Sequence, residues 1–101
     1  MTLTQLRSYQ LPSDEAERQQ WLTWWADVRA MRERHGFRVV AATLNPETGE
    51  FIWIVEHPDF VAAEQTMLAS TDRADVFAQS HPPITILRTE FVDRIYPIVS
   101  N

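Results

Sequence analysis

Arg7 and Tyr9 stand two residues apart in Leu3–Leu11, a stretch whose alternation predicts a strand, so both side chains leave one face of it. A guanidinium beside a phenol can hold a carboxylate or an enolate and relay a proton. The pair also has a purely structural explanation, in which Arg7 is matched across strands by an acid such as Glu90 and Tyr9 packs as an aromatic. His35, His57 and His81 are the chain's imidazoles, and each sits at the end of an expected element. His57 and His81 both precede Pro, and His81 lies on the loop before the last strand, where pocket mouths form. An imidazole there could act as general acid or base near neutral pH. Tyr9, His81 and His57 are therefore the candidate catalytic residues, with exposed or capping roles as the alternative for each histidine. His35, at a helix C-terminus, answers to the helix dipole. Trp21, Trp24, Trp25 and Trp53 could wall a flat aromatic ligand or form plain core. The expected division buries Trp21 or Trp25 and leaves Trp24 and Trp53 nearer a cavity. The candidate substrate-binding set is Arg7, Trp24, Trp53 and Glu90.

Other chemistries lack their residues. There is no Cys, which removes disulfides, thiolate nucleophiles and Cys-held metals. No His/carboxylate spacing of a metal site is present, and haem ligation by His57 or His81 finds no support in spacing. Two Gly cannot build a phosphate loop or a dinucleotide fingerprint, and no nucleophile elbow occurs. No metal and no cofactor are expected. The net charge is −5 and Lys is absent, which disfavours nucleic acid and anionic lipid as partners. The first residues lack the basic start and apolar run of a signal peptide, and no segment approaches membrane-spanning length, so a cytoplasmic location is the expectation.

The elements that must position these residues follow from pattern. Ser13 to His35 is a helix: Ser13 is the expected N-cap, acids crowd its start, Arg32, Arg34 and His35 its end, and Gly36 follows at the position where positive φ is needed. Trp21, Trp24, Trp25, Val28 and Met31 make its apolar face. Phe37–Leu44 and Phe51–Glu56 are strands joined by the turn Asn45-Pro46-Glu47-Thr48-Gly49. A helix from Phe60 to Ser70 buries Phe60, Ala63, Met67 and Leu68, and Thr71 or Asp72 caps a further short helix. After the stiff His81-Pro82-Pro83 connector, Ile84 to Ile98 is the last strand. The order β-α-β-β-α-β, with its second helix split, predicts one α+β domain over residues 1–101, ferredoxin-like, with a four-stranded antiparallel sheet in the order 4-1-3-2.

Helices on one side cover one face of such a sheet, yet the second and third strands are apolar on both parities. Each large apolar side chain left wet forfeits about 1.5–3 kcal/mol of burial. A second copy offering the same face resolves this, so a homodimer packed sheet against sheet is expected.

Leu6-Arg7-Ser8-Tyr9-Gln10-Leu11, the Trp-rich helix, Arg34-His35-Gly36-Phe37-Arg38-Val39-Val40, Glu50-Phe51-Ile52-Trp53-Ile54-Val55 and the Asp59-Phe60 helix start together resemble the NIPSNAP-like branch of the dimeric α/β-barrel superfamily. The resemblance spans nearly the whole chain. It implies two ferredoxin-like subunits whose sheets face each other in a barrel, with a pocket between sheet and helices in each. Relatives in that superfamily include cofactor-independent oxygenases, polyketide cyclases, lactone isomerases, haem-degrading enzymes and ligand-sensing domains. The expected function is a small-molecule-binding homodimer, as a cofactor-independent enzyme of oxygenase, cyclase or isomerase type acting on an aromatic or polyketide-like metabolite. The alternative is a non-catalytic ligand-binding or protein-interaction module.

Overall fold

The computed structural model describes residues 1–96. Its elements run β1 (Leu3–Gln10), α1 (Glu15–Arg34), β2 (Arg38–Leu44), β3 (Glu50–His57), α2 (Phe60–Leu68), α3 (Thr71–Ala78) and β4 (Thr85–Val92). The four strands form one antiparallel sheet in the order β2-β3-β1-β4, the expected order seen from its other end. The architecture is α+β and compatible with a ferredoxin-like fold. No helix of the described residues is long and apolar enough to cross a membrane.

Local chemistry sets the helix boundaries. The cap of α1 is Asp14 rather than Ser13, because Asp14 Oδ2 accepts from the Glu17 N–H at 3.0 Å. Ser70, one residue ahead of the expected Thr71 or Asp72, caps α3 by accepting from the Arg73 N–H at 3.1 Å. Asp72 is thereby free to take Arg34 in a two-pronged ion pair at 2.7 and 3.0 Å, tying α3 to the end of α1. At the β2–β3 turn, Asn45 Oδ1 accepts from the Glu47 and Thr48 N–H groups, and Gly49 takes φ +78°. Buried Arg18 of α1 ties that turn to the β1–α1 connection by donating to the carbonyls of Pro46 and Pro12.

Two expectations fail for physical reasons. Leu68 is half-exposed, since α2 stops there and only Phe60 and Met67 of that helix are buried. The last strand ends at Val92, short of the expected extent, because Val92 stands opposite Thr4 and β1 has only Leu3 left beyond it to offer a longer strand. Pro97 and Ile98 lie outside the described residues.

The helices pack on the face that carries Tyr9, Phe51, Trp53 and Val55, against Trp21, Val28 and Met31 of α1 and Phe60 and Met67 of α2. Among the described residues no helix lies on the opposite face. There Leu6, Ile52 and Ile54 remain half-buried. Between them run polar pairs: Ser8 Oγ donates to Glu50 at 2.7 Å, and buried Glu56 meets Arg38 at 3.5 Å and Arg94 at 3.7 Å. On the edge strand β4, Arg88 pairs with Glu90 at 3.4 Å, the kind of charge that keeps an edge from recruiting further strands.

Candidate ligand-binding site

β1 places Gln5, Arg7 and Tyr9 on the helix side of the sheet, and the antiparallel register sets Trp53 and Thr89 beside Arg7 and Phe51 beside Tyr9. Above them, the indoles of α1 leave a cavity of about 460 Å³. Its aromatic wall is closely built. Trp21 meets Phe51 edge-on at 5.3 Å and Tyr9 at 5.8 Å, and Trp25 meets Trp53 at 5.4 Å. At the other end His81 stacks on Trp24 at 3.7 Å and 15°. Leu68, Phe77 and Ile86 form a solvent-exposed apolar rim.

The expected division among the tryptophans does not describe this wall. All four border the cavity; Trp21, Trp24 and Trp53 are buried and Trp25 is half-buried. Trp24 also bolts two helices together, because its indole N–H donates to the Val76 carbonyl of α3 at 2.9 Å.

Polar groups are few and mostly donors. Arg7 donates from Nε to the Tyr9 oxygen at 2.7 Å and from Nη1 to Gln5 Oε1 at 2.9 Å. The Tyr9 oxygen is thus an acceptor toward Arg7, and its own proton is free to be given elsewhere. Arg32 enters from α1, buried to 5% exposure, and donates from Nη2 to Glu64 of α2 at 2.8 Å. Burial pulls its guanidinium below the ordinary value; Glu64 opposes that pull and Arg7 adds to it. Both guanidinium carbons lie over the same Trp53 ring, Arg7 at 5.7 Å and Arg32 at 5.4 Å. Such a site can hold an apolar ring and meet acceptor oxygens with fixed donors.

Of the residues expected to act, Arg7, Tyr9, Trp24, Trp53 and His81 border this one cavity. His57 and Glu90 do not. The Asp59 N–H donates to His57 Nδ1 at 2.8 Å, which leaves the proton on Nε2, 3.2 Å from the His35 carbonyl. Both ring nitrogens are therefore spent on backbone, and the ring packs on Phe37. Glu90 stands opposite Leu6, on the face away from Arg7, because Thr89 takes the position across from Arg7.

Arg32, Arg73, Glu64 and Gln5 also line the cavity. Arg32 is given to the helix dipole in the sequence and so missed; the signal that places it is that it extends the spacing Trp21, Trp25, Val28 by one more turn and so belongs to the buried stripe. Glu64 and Arg73 carry no such signal on their short helices. Comparison with protein-family models, with curated proteins and with solved structures finds no match to this chain, so its functional reading stands on this geometry.

Proposed function

We propose that this chain is a homodimeric small-molecule-binding protein that takes an aromatic compound between its sheet and α1. The observation that carries the reading is the 460 Å³ cavity walled by Tyr9, Trp21, Trp24, Trp25 and Trp53. That volume is within the range of sites that enclose small organic ligands, and a mostly apolar wall with a few converging polar groups is their usual composition. The dimer is supported by the sheet face that carries no helix among the described residues, where Leu6, Ile52 and Ile54 are half-buried, and the NIPSNAP-like residue pattern supports the same arrangement.

A second reading makes the site catalytic without a cofactor, as an oxygenase, cyclase or isomerase. The Arg7–Tyr9 contact favours it, since a phenol whose oxygen is held by a guanidinium keeps its proton aimed at a single donor position. His81 supplies a second titratable group on the same cavity.

A thermal-shift screen of apolar aromatic compounds tests the binding reading. The expected result is stabilisation of the wild type by members of the set and none of Thr89→Trp, in which a large ring fills the cavity from an exposed strand position. Absence of any stabilising compound, or unaltered binding by Thr89→Trp, overturns it. Tyr9→Phe separates the two readings: loss of product formation with retained binding belongs to the enzyme.

A further inference from the structure

The cavity is rich in donors and poor in acceptors. In a chain of net charge −5, its lining carries Arg7, Arg32 and Arg73 against one carboxylate, Glu64. Arg73 is laid on the Phe77 ring at 4.0 Å. Arg7 makes no ion pair among the described residues and gives Nε and Nη1 to two neutral oxygens. Arg32 is nine-tenths buried and more, yet its Nε and Nη1 find no partner among the described residues. The indole N–H groups of Trp21, Trp25 and Trp53 lack acceptors there as well. Buried donors left unmatched are costly, and a buried guanidinium most of all.

One ligand chemistry answers the surplus of guanidinium donors beside an aromatic wall. We propose that the cavity binds an aromatic carboxylic acid, its carboxylate taken by Arg7 and Arg32 and its ring by the tryptophan wall; this rests on the cavity being the ligand site. The two guanidiniums share the Trp53 ring, so an anion that reaches them has its attached ring against the same indoles. A planar carboxylate matches the planar donor fork of arginine and supplies acceptors without bringing any donor of its own. Arg7, half-buried, meets the ligand first, and Arg32 lies deeper.

Calorimetric titration of the full chain with 2-naphthoate, with neutral 2-naphthamide and with 2-naphthyl phosphate tests the proposal. The expected result is naphthoate binding about tenfold or more tightly than naphthamide, as a charge-assisted hydrogen bond provides. Arg7→Gln is expected to lose most of that preference, read as the ratio of the two affinities within the same variant. The comparison of acid with amide needs only wild-type protein, so it stands even if the variant fails to fold. Equal affinity for acid and amide overturns the carboxylate and leaves the aromatic cavity standing. Binding of none of the three probes overturns both. Tighter binding of the phosphate overturns the carboxylate in favour of a phosphate ester, and full retention of the preference in folded Arg7→Gln overturns the assignment to Arg7.

Discussion

At Gly36 the chain leaves α1 with φ +84°, and an added Cβ would stand 3.0 Å from His57 Nε2. Those are two separate penalties, one for left-handed backbone and one for crowding a ring held by two backbone bonds. Gly36→Ala is expected to lower the unfolding free energy by about 1–2 kcal/mol, as a shift of the urea midpoint at constant slope. An unchanged midpoint would mean that the turn can re-form with negative φ. The same corner explains why His57 is not at the cavity. A histidine before Pro at a strand end is visible in the sequence, but its ring is claimed by backbone, and that depends on where the end of α1 meets the end of β3. Arg7 and Tyr9 were legible as a pair because strand alternation alone puts them on one side. Glu90 was not assignable that way, since its side of the sheet depends on which residue of β4 faces Arg7, and the β1–β4 register shifts between Ser8 and Tyr9.

Between elements, the Arg34–Asp72 pair joins the last turn of α1 to the first turn of α3, with His35 3.5 Å from the same carboxylate. The hydrogen bonds from Arg34, and then its charge, hold the Asp72 carboxyl below its ordinary value of 3.8. A lowered folded-state value stabilises the fold above the unfolded value and ceases to do so as pH falls through the folded one. Thermal melts of wild type and Asp72→Asn are therefore expected to differ near neutral pH and to converge as the pH falls below the ordinary carboxylate range. The difference is small, because solvent screens an exposed pair. A gap that persists unchanged into strong acid would assign the effect to something other than the Asp72 charge. Element order, helix positions and strand neighbours were legible from periodicity, caps and turn residues. Cap residues missed by one, because Ser13 and Asp14, or Ser70 and Thr71, are equally good caps in isolation and the competition is decided by which carboxylate or hydroxyl reaches the backbone donor.

At the scale of the whole molecule, the sheet has helices on one face and on the other the half-buried Leu6, Ile52 and Ile54 with exposed Arg38, Arg88 and Glu90, while Glu56 and Arg94 pair within the chain. Charges of both signs spaced among aliphatics are self-complementary when two copies meet about a two-fold axis. Sedimentation at micromolar concentration is expected to give a dimer for the wild type and a folded single chain for Ile54→Glu. A wild type that sediments as a single chain overturns the dimer and leaves the cavity, which is built within one chain. The cavity has a practical corollary of its own. Every tryptophan of the chain contributes to its wall. Indole emission, whose intensity and colour follow the polarity and quenchers around the ring, is thus a built-in, label-free gauge of whether that chamber is filled.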